Sequence, residues 1–298
     1  MPPKSRLNHF EQGMGVADLC GMGRSKMMSL LFSMNVMVNG IVGQTVMLPV
    51  HTVGQYAAGV FGWDDGDAFG ALRHPAMSVG FRGRSMGFLA ESMTGFPGTA
   101  MLSSMIGIRA GSGVIGGVLD HRSMSGAGES RLAVGYALPL SSRLRAGIRL
   151  GVQGLSVPAH RTIIGMPVEW GLVYRHQQLS FGVAASQPVT LSPGKLHPGI
   201  PAIFRMTTTF ELSAGTGLAL DVVREEGWGL SCRPMVFYQP SPGFRLSSGL
   251  VADKGSIFLG IRYRRSSMGF HMFFDRDPYL GWTGAFGIDY QEKREEGR

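Results

Sequence analysis

The sequence predicts an all-β fold: a single antiparallel transmembrane β-barrel of about 14 strands with a short N-terminal segment inside the barrel. Two observations carry that expectation. The first is alternation. In residues 143–152, Leu144, Ala146, Ile148, Leu150 and Val152 fall on one face, and Arg143, Arg145, Gly147, Arg149 and Gly151 on the other. In residues 204–212, Phe204, Met206, Thr208, Phe210 and Leu212 oppose Arg205, Thr207, Thr209 and Glu211. A period of two means extended chain with one apolar and one wet face. Many such segments joined by turns make a barrel with lipid outside and a polar lumen. The second observation is composition. Gly is 45 of 298 residues and charged residues are only 16%. That suits crowded strands whose small side chains face a lumen, and it does not suit a soluble α/β enzyme. No long uninterrupted apolar helix follows residue 50, which argues against a helical membrane bundle.

Taken in order, residues 1–43 read as an N-terminal extension and signal peptide. Arg24 and Lys26 form a basic patch, residues 27–42 an apolar run, and Gly43 a small residue at the cut. Met22 and Met27 are candidate initiators, and an N-terminal anchor helix is the rival reading of the run. Residues 44–76 do not alternate. They carry scattered glycines, the acidic residues Asp64, Asp65 and Asp67, and the sequence His74-Pro75-Ala76. We read them as a plug-like segment, with the three Asp side chains and His74 as plug candidates pairing with lumen arginines.

Residues 77–290 are the barrel proper. Candidate strands are 78–83, 85–93, 99–109, 113–121, 130–139, 143–154, 167–175, 178–186, 203–213, 216–224, 228–239, 243–252, 255–264, 267–275 and 279–290. An even count is expected of a bacterial barrel, so one early pair is read as a single bent strand. Short hairpin connections are expected at 139–142, 239–243, 252–255 and 265–267, and longer loops at 155–166 and 187–202 on the opposite rim. The polar face nominates Arg143, Arg145, Arg149, Arg205, Glu211, Arg262 and Arg264 as lumen-lining residues. Tyr174, Tyr263, Phe274, Trp282 and Tyr290 are candidates for an aromatic girdle at the membrane interfaces. Residues 291–298 form a charged tail.

Residues 1–43 hold four of the 28 Lys/Arg and two of the 20 Asp/Glu, so the remainder has a net charge of +6. The arginines recur at period two within strands, not in one exposed basic run. A lumen or a lipopolysaccharide-facing rim explains them better than nucleic-acid binding. Without residue Cys20 only Cys232 remains, so no disulfide framework is expected.

Three short segments resemble the PorV/PorQ-type outer-membrane barrels of Bacteroidota, within the broader FadL-like set. Asp67–Ala76 (DAFGALRHPA) is similar to a small-residue helix ending in Asn-Pro-Ala before the first strand, with His74 in place of Asn. Gly199–Arg205 (GIPAIFR) resembles the start of a mid-barrel strand, and Asp277–Thr283 (DPYLGWT) the opening of the final one. The resemblance implies a barrel in the bacterial outer membrane, serving as a channel or transporter or as an envelope-export accessory. A non-conducting scaffold for a surface or periplasmic partner is the alternative. Outer-membrane lipid and a secretion-system or surface protein are the implied partners. No functional residue carries over.

Enzymatic motifs lack their context. Gly83–Gly87 (GRSMG) matches a nucleophile elbow, but it lies in alternating β sequence with no following helix. Gly111–Gly116 (GSGVIG) matches a dinucleotide fingerprint, but a strand follows, so a hairpin is expected. His51, His74, His121, His160, His176, His197 and His271 show no ligand spacing. Asp64, Asp65 and Asp67 lack a full calcium-loop pattern. No catalytic residue, metal or cofactor is expected.

Overall fold

The computed structural model describes residues 68–81, 83–93, 99–124, 127–156, 162–190, 202–226, 229–278 and 281–292, without the side chains at 93, 124, 187–190 and 277. The leader, the three plug aspartates and most of the charged tail lie outside the described residues. Fourteen antiparallel strands close into a barrel in strict sequence order, with β1 paired to β14. They are β1 (Arg84–Met93), β2 (Ala100–Ala110), β3 (Gly113–Met124), β4 (Ala127–Pro139), β5 (Leu144–Ser156), β6 (Ile163–His176) and β7 (Leu179–Thr190). β8 (Ile203–Ser213), β9 (Thr216–Glu225), β10 (Gly229–Ser241), β11 (Phe244–Val251), β12 (Ser256–Arg265), β13 (Met268–Asp277) and β14 (Gly281–Gln291) complete it. Two short helices precede β1: α1 (Ala68–Arg73) and a 3-10 helix, Pro75–Gly80.

The alternation resolves into an inverted protein, apolar outside and mixed inside. On β5, Ile148, Leu150 and Val152 are about half exposed while Gly147, Arg149 and Gln153 are buried. On β8, Phe204, Phe210 and Leu212 face out while Thr207 and Thr209 are buried. Closure removes both sheet edges, so every strand has two neighbours, as a sheet immersed in lipid requires.

One expected strand is absent. Residues 78–80 end the 3-10 helix, with Pro75 at the first helical turn and Phe81 donating its N–H to the Ser78 carbonyl. Pro75 lacks a ladder donor and favours a helix start, so the chain does not extend until Arg84. Fifteen candidates therefore reduce to fourteen strands.

The two rims differ. Two-residue turns at 111–112, 177–178, 214–215, 242–243 and 266–267 and a four-residue turn at 140–143 join the strands at one end. The start of β1 and the end of β14 lie at that same end, where Glu292 donates its N–H to the Arg84 carbonyl. Gly111 and Gly215 hold positive φ there (61° and 85°), the conformation such tight turns demand. The longer connections, including 191–202, lie at the other end; so does Ala252–Gly255, which sequence reading grouped with the short turns. Tyr174, Tyr263 and Tyr290 sit on the outward face near the turn rim, among Tyr136, Phe181, Phe210, Tyr238 and Phe270. Phe274 and Trp282 lie outward toward the loop rim, with Arg276 over the Trp282 ring at 6.0 Å.

Candidate functional site

The lumen is occupied by the chain's own residues 68–81. The wall makes room for them with glycines. A Cβ at Gly147 would stand 2.4 Å from the Pro75 carbonyl carbon, and one at Gly171 2.5 Å from the His74 ring. Gly87 faces Ala68, Gly287 faces Phe69, and Gly107 faces the Phe81 ring at 2.3 Å from where a Cβ would lie. These five positions sit on β1, β2, β5, β6 and β14, so the plug touches a broad arc of wall through backbone-level contact.

One side of the plug is dry. Ala68, Phe69, Ala71, Leu72 and Phe81 form a single apolar cluster with Leu89, Met105, Val114, Val118, Ala133, Phe273 and Ala285. The other side is polar and specific. Arg149 of β5 donates from Nη1 to the Leu72 carbonyl (3.1 Å) and from Nη2 to the Ala71 carbonyl (3.0 Å), satisfying the open C-terminal end of α1. Its Nε pairs with Glu169 at 3.1 Å. Arg73 reaches across to Asp221 of β9 at 3.2 Å. Asp221 also takes Arg233 (3.4 Å), Arg205 (3.6 Å) and the Thr207 hydroxyl (2.7 Å). His74 donates from Nε2 to the Val183 carbonyl at 2.9 Å, which leaves Nδ1 as the unprotonated nitrogen. Burial drives the His74 pKa down from 6.5 to about 3, the Val183 bond opposing and Arg205 and Arg149 reinforcing the shift, so the ring is neutral at physiological pH.

Two further ionic groups line the wall. Arg131 pairs with Asp120 at 2.5 Å and with Glu169. Asp289 pairs with His271 at 2.6 Å and with Arg264, and the edge of Phe69 meets His271 at a centroid distance of 4.5 Å. A cavity of about 80 Å³ lies on the loop side of the plug, bounded by Leu72, Arg73, Pro75, Asp120, Arg131, Glu169 and Arg205.

The nominated lumen residues divide. Arg149 and Arg262 are buried on the inward face; Arg205 and Arg264 are half-buried there, and Arg145 lies inward near the turn rim. Arg143 does not line the lumen: the Ser141 hydroxyl accepts the backbone N–H groups of Arg143 and Leu144, forming a turn that delays β5 to Leu144. Glu211 is exposed at the turn rim, where a register shift between Glu211 and Ser213 ends the β8–β9 ladder. His74 is in the plug. The expected pairing of lumen arginines with Asp64, Asp65 and Asp67 lies outside the described residues; within them Arg149 and Arg205 meet the wall acids Glu169 and Asp221. Sequence reading passed over Asp120, Glu169, Asp221 and Asp289. A signal was present in β9, where Gly217, Ala219 and Asp221 share the small-residue parity opposite Leu218 and Leu220. Ser85 of the elbow-like motif lies inside strand β1, not at a strand-to-helix turn.

No protein-family model matches this chain, and no curated protein does. Solved structures do match in fold. A TodX deltaS2S3 mutant monoaromatic hydrocarbon channel aligns with a TM-score of 0.59 at 9% identity, over 76% of this chain and 94% of that one. A Pseudomonas aeruginosa FadL homologue aligns with a TM-score of 0.57 at 10% identity, over 82% and 99%. The Pseudomonas putida toluene transporter TodX aligns with a TM-score of 0.53 at 10% identity, over 73% and 90%. At such identities the likeness speaks for the fold alone: a closed antiparallel β-barrel like those of these three proteins.

Proposed function

We propose that this protein is a bacterial outer-membrane channel or transporter, exported through a signal peptide and closed at rest by residues 68–81. The observation that carries this reading is the way the plug is seated. Close approach of the plug to wall glycines and a few side-chain bonds hold it, and a small cavity with charges of both signs lies directly on its loop side. A barrel serving only as a shell could fill its interior with apolar side chains. Buried ion pairs contribute little net stability, and their role here is to set the plug's position. The channels and transporters that share the fold support the reading. The PorV/PorQ resemblance adds an export-accessory role and a secretion-system or surface partner as its specific form. No reaction chemistry belongs to this proposal.

The test is planar-bilayer conductance of the refolded chain, intact and lacking residues 44–80. Current that is small or intermittent in the intact chain and steady after deletion supports a plugged channel. Silence in both forms, with the barrel shown folded by heat-modifiable gel migration, removes the channel reading and leaves a membrane-anchored scaffold.

A further inference from the structure

We infer that an apolar groove on the outward face of the barrel holds one anionic glycerophospholipid, with an acyl chain in the groove and the phosphate at two arginines on the turn rim. The inference rests on the reading that this face lies in a membrane, and it names a specific lipid partner. The groove, of about 830 Å³, crosses β13, β14 and β1 to β4. Ser104 of β2 and Gly117 of β3 make its floor, because their outward neighbours are large. Phe88 and Leu119 stand on either side of Ser104, and Ile106 stands beside Gly117. The glycines that seat the plug are required by close backbone approach, but Gly117 is not one of them. A Cβ there would lie 3.5 Å from the Ile106 side chain and 3.9 Å from the Ala133 carbonyl, which is ordinary contact. The hollow is therefore not demanded by the packing of the barrel itself.

The strand register carries this groove to the turn rim. One cross-strand row runs from Arg265 through Met268, Tyr290, Met86 and Ile106 to Gly117. Arg265 is the last residue of β12, Met86 the third of β1 and Gly117 the fifth of β3, so the row descends from the rim into the wall. That descent follows from the tilt of strands in a closed barrel. Arg84, the first residue of β1, shares the outward face with Met86 and is exposed, as is Arg265. Neither guanidinium makes an ion pair among the described residues, and the nearby Glu292 carboxylate accepts the Arg84 backbone N–H at 2.8 Å. Tyr290 stands in the row between the two arginine-bearing strands, an amphipathic ring of the kind that suits a membrane interface.

The physics of the occupant follows. Against hydrocarbon there is no hydrophobic driving force, and association comes from packing, so a recess retains a chain that a flat wall would not. An unfilled recess would forfeit the dispersion contacts of its lining. The methionines on its sides adapt to a flexible chain. At the head of the groove guanidinium forks match phosphate oxygens, and each basic side chain near a membrane surface adds attraction for anionic lipid. A second copy of this chain fits less well. Two parallel barrels meeting here about a two-fold axis would bring Arg84 and Arg265 against their own counterparts, a like-charge contact.

The test is native mass spectrometry of the full chain from neutral detergent, titrated with phosphatidylglycerol, phosphatidylcholine and lipid A. The expected result is saturable retention of one phosphatidylglycerol per barrel, with phosphatidylcholine held roughly tenfold more weakly. Arg84→Gln/Arg265→Gln should weaken phosphatidylglycerol retention roughly tenfold. Gly117→Leu, which fills the floor, should weaken it roughly fivefold; should that variant not fold, Ser104→Leu takes its place. Arg224→Gln and Gly154→Leu are controls outside the groove and should change nothing. Arg224 is exposed near the loop end of β9, and a Cβ at Gly154 meets nothing within 4 Å. Equal retention of phosphatidylcholine, preference for lipid A, a dimer in place of the lipid adduct, or equal loss in the controls overturns the inference. Vesicle flotation separates it from the reading beneath. A chain that floats with vesicles yet retains no phosphatidylglycerol refutes this inference alone, and a chain that does not float refutes the membrane reading and this inference with it.

Discussion

Adding one methyl group at Gly147 should unseat the plug. The Cβ of Gly147→Ala would lie 2.4 Å from the Pro75 carbonyl carbon and 2.6 Å from both the Pro75 oxygen and the Ala76 nitrogen. Ordinary contact begins at 3.4 Å, so the plug must retreat by about 1 Å. The atoms struck are backbone and cannot swing aside as a side chain would. Retreat also pulls on His74 in its bond to Val183 and on Leu72 in its bond to Arg149, both on the same stretch of chain. Overpacking of this kind costs about 1–3 kcal/mol. That amount raises the population of an unseated plug by about 5- to 150-fold. The assay is single-channel open probability in planar bilayers. Gly154→Ala is the control, because it lies on the same strand and a Cβ there meets nothing within 4 Å. Unchanged open probability in Gly147→Ala with the barrel folded, or an equal rise in Gly154→Ala, would refute the argument that the glycine wall seats the plug.

Three other outcomes follow from the same geometry. Asp221→Asn removes the charge on which Arg73, Arg205 and Arg233 converge. Breaking such a buried group costs about 3–5 kcal/mol, so heat-modifiability on gels should shift to clearly lower temperature, and an unshifted transition contradicts it. Arg149→Met removes both bonds to the α1 carbonyls while Glu169 keeps Arg131. Each bond to a charged group is worth about 1.5–3 kcal/mol, so amides of residues 68–80 should exchange faster while strand amides do not. His74 stays neutral in the folded state to about pH 3, but protonates below 6.5 when unfolded. Stability is therefore unaffected above pH 6.5 and falls as pH drops toward 3, by about 2 kcal/mol at pH 5. Melting in detergent at pH 7.5 and pH 5 should show that slope in the parent and a shallower one in His74→Gln; equal slopes would remove His74 as the cause.

Much of the barrel was legible because lipid on one side and a lumen on the other force a period of two. Ile148, Leu150 and Val152 had to be outside once Arg149 was inside. The errors fell where another physical rule competes. Residues 78–83 alternate acceptably, yet Pro75 starts a 3-10 helix that runs to Gly80. Arg143 has the lumen parity of Arg145, but the Ser141 hydroxyl captures its backbone and makes it a turn residue. Glu211 keeps the inward parity to the last residue before the β8 register shift and so stands at the rim.

What the sequence determined by itself was face: which side chains point outward and which meet the interior. Only the tertiary structure decided who meets whom. Asp221 lies 148 residues from Arg73, and Arg149 lies 77 from Leu72, so their pairing depends on barrel closure and register. Periodicity is a local property of the chain, written into neighbouring residues. Height and azimuth in a closed sheet are global, and they exist only once every strand has found its register.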